Sequence, residues 1–310
     1  MNRKVLNFSL LLVLAMSLAS CKTASTACKE ILFTHSFVSG NGFEANIVAI
    51  CPDETSPRQI TTNGLLGNSK PYWSPDGSKI AYLSAGSGTR QLHLMDSDGS
   101  NDRQITSGSG LDVSQMMWLP DGNRIAMLVA EAGEWQWQAV DVLTGEITSL
   151  DAWAFQSDSI LSMSLSHDGT RFAHVVRANP EQANSPSKLY IQDIDGSNPF
   201  VLANTKGIID SPIWSPDDSQ IAFISCGENA TCVEKTIYMI NTDGSNLHEL
   251  TTTDLDPWMI AWSPDGESLA VIADDELYTG GVLYELDIKT GKRTALFKLE
   301  EPSMIAQLSW

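Results

Sequence analysis

The sequence predicts an all-β fold, a six-bladed β-propeller, from three observations. A short motif ending in Pro-Asp-Gly recurs at near-constant spacing. Each interval between motifs divides into four short strands. The final residue is the tryptophan that a ring-closing strand would carry. The motif stands as Trp73-Ser-Pro-Asp-Gly77, Trp118-Leu-Pro-Asp-Gly122, Leu165-Ser-His-Asp-Gly169, Trp214-Ser-Pro-Asp-Asp218 and Trp262-Ser-Pro-Asp-Gly266, with Trp310 continuing the series. Successive spacings are 45, 47, 49, 48 and 48 residues, the period of one four-stranded propeller blade.

The chain opens on a targeting segment. Arg3 and Lys4 precede an almost wholly apolar run, Val5 to Ala19. Those 15 residues are too few to span a bilayer as a helix, and they fit the apolar region of a secretory signal. Leu18-Ala19-Ser20-Cys21 then resembles the lipobox of bacterial lipoproteins. The resemblance implies cleavage before Cys21 and acylation of that residue, and several acyl chains on one residue anchor stably where one chain would not. The expected organisation is a signal peptide over 1–20, a lipidated cysteine and short tether over 21–29, and the propeller over 30–310. The expected location is the bacterial cell envelope: the periplasmic face of the outer membrane in a Gram-negative cell, since Lys22 rather than Asp follows the cysteine, or the outer face of the cytoplasmic membrane in a Gram-positive one.

Each repeat reads as four strands. A short apolar run leads into the Trp, as in Ser211-Pro-Ile-Trp214. The Pro-Asp-Gly tip turns the chain, because Pro presets φ and Gly accepts positive φ. A second strand follows, as in Lys79–Ser84, Arg124–Leu128, Gln220–Ser225 and Ser268–Ile272. The third runs into an Asp-Gly turn, Leu92–Asp96 before Ser97-Asp-Gly-Ser100 and Ile237–Asn241 before Thr242-Asp-Gly-Ser245. Asp-Gly between alternating strands is a strong hairpin signal. The fourth, Arg103–Thr106 or His248–Thr251, is short and polar, as an exposed sheet edge requires.

The ends complete the ring. Residues 31–62 offer three strands, Ile31–Ser36, Asn46–Cys51 and Arg58–Thr61, and lack an inner strand. Ile305–Trp310 is an inner strand with nothing after it. Joining them gives a sixth blade and removes two open sheet edges; the rival reading is a chain truncated after Trp310. Closure brings Cys28, just ahead of the composite blade's second strand, beside Cys51 at the end of its third, and predicts a Cys28–Cys51 disulfide. Cys226 and Cys232 flank a hairpin loop and are placed to bridge its base. The even number of cysteines beyond Cys21 suits an exported chain.

With these repeats in view, the run Trp-Ser-Pro-Asp-Gly-x-x-Ile-Ala-Phe, then Tyr-x-Met-Asp-x-Asp-Gly-Ser-Asn, then x-x-Leu-Thr, resembles the TolB-type propeller repeat over residues 30–310. A complete TolB also carries an α/β domain ahead of its propeller. About eight residues lie here between Cys21 and the first strand, so the resemblance implies a TolB-like propeller rather than a full TolB.

Composition narrows the function. Hydrophobic residues are 42% and charged residues 18% of the 310, which supports a packed core and argues against a disordered chain. The formal net charge of −19 repels nucleic acid and anionic headgroups and favours partners with basic segments. No Gly-x-Ser-x-Gly elbow, phosphate-cradling loop or zinc-type His pair occurs. His35, His93, His167, His174 and His248 fall in different repeats. Asp96–Asp102 lacks the later glutamate of a calcium loop and reads as turn chemistry. The repeat tryptophans read as packing between blades. No cofactor is expected, and a monomer is.

The Pro-Asp-Gly and Asp-Gly-Ser turns share one face of the ring and are stereotyped. The opposite face carries variable loops, such as Val38–Ala45, Glu131–Glu134 and Gly227–Lys235, and specificity is generally carried by such loops on a rigid scaffold. Acids recur just before the inner strands at Asp112, Asp158, Asp210, Asp256 and Glu301. Their convergence at the channel mouth would make an anionic ring for a cationic peptide or a metal; solvated loop acids are the plainer reading. The expected function is therefore a non-enzymatic, protein-binding scaffold of the envelope. The alternative is a channel-centred enzyme or glycan-binding module, metal-assisted.

Overall fold

The computed structural model describes residues 28–310 apart from 41, 55, 87, 109–110, 132–133, 154–159, 180–184, 229–233, 251–254, 275–280 and 299–302. Six four-stranded antiparallel sheets form the six blades of a β-propeller. The composite first blade is β1 (Ile31–Ser39), β2 (Gly42–Ile50) and β3 (Arg58–Gln59), completed on its inner edge by β24 (Ser303–Ser309). The second blade is β4 (Ser69–Trp73), β5 (Lys79–Ser84), β6 (Gln91–Asp96) and β7 (Arg103–Gln104). The third is β8 (Asp112–Trp118), β9 (Arg124–Glu131), β10 (Glu134–Asp141) and β11 (Ile147–Ser149), and the fourth is β12 (Ile160–Leu165), β13 (Arg171–Arg177), β14 (Ser187–Asp193) and β15 (Phe200–Asn204). The fifth comprises β16 (Ile209–Trp214), β17 (Gln220–Ser225), β18 (Thr236–Asn241) and β19 (His248–Glu249). The sixth comprises β20 (Asp256–Trp262), β21 (Ser268–Asp274), β22 (Val282–Asp287) and β23 (Arg293–Lys298).

Apolar side chains alternate to both faces of the second and third strands, so the core lies in the seams between blades. Ile31 and Phe33 pack against Ile272 and Leu283 of the sixth blade, while Leu32 and Ile47 pack against Ile80 and Tyr82 of the second. The repeat tryptophans add a directed bond to this packing. Trp118 Nε1 donates to the Tyr72 carbonyl, Trp214 Nε1 to that of Ser164, and Trp262 Nε1 to that of Ile213, at 3.3, 3.2 and 3.4 Å. Each acceptor lies just before the repeat motif's first residue in the preceding blade, so every such indole ties one inner strand to the last. Trp310 Nε1 reaches the Lys29 carbonyl at 2.8 Å and Trp73 Nε1 that of Glu30 at 3.0 Å, binding the residues ahead of β1 to the inner strands β24 and β4.

The short-turn face is stiffened by its own carboxylates. Ser74 Oγ donates to Asp76 at 2.7 Å and accepts from Lys79 N at 2.9 Å. The same bonds recur at Ser166–Asp168, Ser215–Asp217 and Ser263–Asp265. The hydroxyls of Ser74 and Ser78 and the Ser78 amide hold the Asp76 carboxyl down at about 2.

Two sequence expectations shift in length. The fourth strands end early: Ile105 N and Thr106 N both turn onto the Leu92 carbonyl, so β7 stops at Gln104. The expected loop Val38–Ala45 is largely strand, and Glu131 and Glu134 belong to the strands on either side of theirs. Cross-strand pairing carries β1 and β2 out to Ser39↔Gly42, and β9 and β10 out to Glu131↔Glu134. These hairpins stand above the shorter one of the second blade, where β5 and β6 have 6 residues each.

Candidate functional site

The inner strands β4, β8, β12, β16, β20 and β24 line the channel and begin at the variable-loop face. Of the five acids expected around the mouth, Asp158 and Glu301 lie outside the described residues. Asp112 is held by Arg90, whose Nε and NH2 donate to its two oxygens at 3.0 and 2.6 Å while Arg90 N adds a bond of 2.9 Å. The guanidinium keeps the Asp112 carboxyl below the usual carboxylate range. Asp256 faces Lys235 at 4.0 Å. Arg90 and Lys235 each stand one residue before the third strand of a blade, and each meets the acid that opens the next inner strand. Asp112 is thus a clasp between blades, and Asp256 a looser ion pair whose buried Oδ1 accepts no hydrogen bond among the described residues. Asp210 is exposed, and its carboxylate accepts the Ser211 amide at 2.6 Å.

Inside the mouth every inner strand slips register against its neighbour, at 69–72, 113–115, 160–163, 210–213, 257–259 and 306–308. Bulges of this kind re-aim side chains. Three residues before each motif's first position stand Lys70, Gln115, Ser162, Ser211, Met259 and Gln307. Lys70, Ser211 and Gln307 have φ of 53°, 50° and 56°. In each, the left-handed turn aims the amide at the equivalent side chain of the preceding blade. Lys70 N donates to Gln307 Oε1 at 2.8 Å, Ser211 N to Ser162 Oγ at 3.2 Å, and Gln307 N to Met259 Sδ at 2.7 Å. Lys70 cannot accept. Its Nζ instead donates to the bulged Ser114 carbonyl at 2.6 Å. A relay therefore runs through Met259, Gln307, Lys70 and Ser114 across four consecutive blades. Burial pushes the Lys70 ammonium below the usual lysine value, and nearby Arg90 adds to the effect. Sequence reasoning passed over this ring; its signal is the one lysine in that column of the repeats.

Cys28 and Cys51 form a disulfide with Cα atoms 5.9 Å apart. Cys226 is disulfide-bonded as well, while Cys232 and Cys21 lie outside the described residues. Among the described residues, Cys28, Cys51 and Asp53 are the one set of potential metal ligands in proximity, and the disulfide occupies both sulfurs. The histidines sit in separate seams and turns. His93 lies beside Tyr82 and Asp102, His174 stacks on Tyr190, and His167 contacts Asp218. Burial lowers His174 to about 4 and also lowers His35, so both rings are neutral near pH 7.

Known proteins resemble this chain over parts of its sequence and in its fold. Over 107 residues it is 34% identical to the uncharacterized peptidase YuxL of Bacillus subtilis, covering 34% of this chain and 16% of that protein. Over 56 residues it is 43% identical to the Tol-Pal system protein TolB of Hamiltonella defensa, covering 18% of this chain and 13% of TolB. The matches thus span less than a fifth of these relatives' own lengths. The crystal structure of TolB from Acinetobacter baumannii superposes with a TM-score of 0.69 at 18% identity, covering 91% of this chain and 66% of that one, a likeness of fold. The lipoprotein LpqB beta-propeller domain family matches residues 61–281. That match takes in most of the ring, from the end of the first blade into the sixth: the chain belongs to the lipoprotein LpqB beta-propeller domain family and has a TolB-like propeller.

Proposed function

We propose that the protein is a non-enzymatic scaffold of the bacterial envelope, anchored through lipid on Cys21, which binds partner proteins at its variable-loop face. The observation that carries this reading is the opposition of two faces. β1 starts at the short-turn face, where Lys29 and Glu30 are bonded to Trp310 and Trp73 and Cys28 is tied to Cys51. A chain extends at most about 3.6 Å per residue, so Cys21 lies within about 25 Å of Cys28. A lipid there turns the short-turn face to the membrane and the variable face outward.

Both faces expose apolar side chains, Leu143 and Leu247 on the short-turn side, and on the outward face they stand at the hairpin tips and the loops between blades. Val38 and Phe43 pair across the tip of the first hairpin and are 65% and 64% exposed. Leu65 and Trp135 are 53% and 48% exposed. Aromatic side chains such as Phe43 and Trp135 are enriched at the cores of protein interfaces. Membership of a family described by a lipoprotein, and likeness to a Tol-Pal system protein, support envelope protein partners. The net charge of −19 favours partners with basic segments around the rim.

Photo-crosslinking in living cells tests this. A crosslinker at Phe43 or Trp135 is expected to capture a discrete envelope protein, and one at Asp195 on the short-turn face is not. Equal capture from both faces overturns the reading. Cys21→Ala, with residues 1–20 replaced by a secretory signal that is cleaved without lipidation, is expected to release the protein from the membrane fraction.

A further inference from the structure

We infer that Lys70 and Gln307 form a carboxylate-binding site in the channel, entered from the variable-loop face. Gln307 Oε1 accepts both Lys70 N and Thr34 Oγ1, at 2.8 and 2.9 Å. A backbone amide only donates, so this atom is the amide oxygen and the Nε2 group points away from it with two N–H bonds. Among the described residues that Nε2 has no acceptor. The neighbouring Lys70 ammonium has three donors and a single acceptor, the Ser114 carbonyl. Its surroundings make this unusual. Acids outnumber bases 38 to 19 in the chain, and the cations at the mouth, Arg90 and Lys235, each face a carboxylate. Lys70 faces none among the described residues. A partly desolvated ammonium without a counterion is costly, and a ligand that supplies the counterion recovers that cost.

A carboxylate supplies what both groups lack, an anionic acceptor for the ammonium on the side of the third blade or for the amide N–H on the side of the first. A doubly charged phosphate fits poorly in so acidic a molecule. The site deepens the scaffold reading, since it rests on the variable face being the binding face. It names what a partner would insert there: a chain terminus, or else a small free acid.

Calorimetric titration of the full chain in detergent decides it, with N-acetyl-trialanine as the free acid, the same peptide as its C-terminal amide, and acetate. Saturable binding of the free acid is expected, with none by the amide. Acetate matching the peptide assigns a small acid, and weaker acetate a chain terminus; either supports the site. Lys70→Gln is expected to weaken the acid at least about tenfold, with Lys70→Arg retaining most of the affinity. Urea midpoints of both variants show that the fold is kept. Amide binding equal to acid, unchanged affinity in Lys70→Gln, or no saturable binding by either acid overturns the proposal. The titration needs no cellular partner, so its failure and a failed crosslinking experiment are separate results.

Discussion

At the scale of single residues, two departures from the repeat compensate each other. The fourth blade has His167 where the other motifs have Pro, and the fifth has Asp218 where they have Gly. Asp218 sits at φ 56°, a conformation that costs a side-chain-bearing residue about 1 kcal/mol or more. Its carboxylate accepts His167 N at 2.8 Å, Asp168 N at 2.9 Å and His167 Nδ1 at 3.0 Å. Proline at 167 would remove the first of these. Asp218→Ala keeps the strained backbone and loses the bonds, so a loss of about 1–3 kcal/mol is expected in urea unfolding. Asp218→Gly should fall between it and the wild type. His167→Pro alone should destabilise, and adding Asp218→Gly should restore part of the loss; strictly additive effects would reject the coupling. A second residue-scale expectation concerns acid. Asp76, Asp168, Asp217 and Asp265 are all held below the ordinary carboxylate value of 3.8 by hydroxyl and amide donors, Asp76 at about 2. A depressed folded-state value contributes stability that is present above the unfolded value and lost as pH falls through the folded one. Stability measured by urea titration should therefore drop most steeply between about pH 4 and pH 2, and replacing the four aspartates with asparagine should flatten that drop.

Among the elements, the composite blade depends on how β1 and β2 are fastened. The Cys28–Cys51 disulfide closes a separation of 23 residues at the short-turn end of this hairpin. Cross-links over loops of this size stabilise by about 3 kcal/mol. Cys28→Ser with Cys51→Ser is expected to lower the thermal midpoint while leaving a single transition, and an unchanged midpoint would show that the indole bonds of Trp73 and Trp310 already suffice. The disulfide was legible because antiparallel pairing of β1 with β2, which sets Ile31 opposite Ile50, brings the flanking cysteines together. The length of the same hairpin was not. Residues 38–45 include two glycines, an asparagine and a glutamate, weak strand formers; the pairing Val38↔Phe43 extends the ladder regardless of propensity. The inter-blade clasp was half legible. Asp112 stands out at the head of an inner strand, but its partner Arg90 is 22 residues earlier in another blade. A sequence places an acid at a strand end without showing which side chain the ring will bring to it. The channel ring was hidden for a related reason: the column of residues is visible in the repeats, whereas the bulge that turns Lys70 toward Ser114 is a property of the closed inner strands.

For the whole molecule, closure is what makes six sheets into one cooperative unit. Each seam buries the apolar face of one blade against the next, so a missing strand exposes two seams and two sheet edges at once. β24 supplies Ile305 and Leu308 to the seam between the first and sixth blades, and its residues pair with β1 from Leu32 to Phe37. Truncation at residue 302 should therefore abolish the single cooperative transition and lead to aggregation, far beyond the effect of removing eight residues from a surface. The complementary experiment keeps every strand and moves the break. Trp310 and Lys29 are already in hydrogen-bond contact, so a short Gly-Ser linker from Trp310 to Cys28 can join the ends without strain and keeps the Cys28–Cys51 disulfide. New termini at the exposed Asp195-Gly196 turn then divide the fourth blade between its third and fourth strands. If closure rather than the position of the ends governs folding, this permutant should remain a monomer with one urea transition and a slope matching the wild type's, since the surface exposed on unfolding is the same. The truncated chain should not. A permutant that loses cooperativity, or a truncation that keeps it, would mean that blades fold as independent neighbours in the manner of an open repeat array.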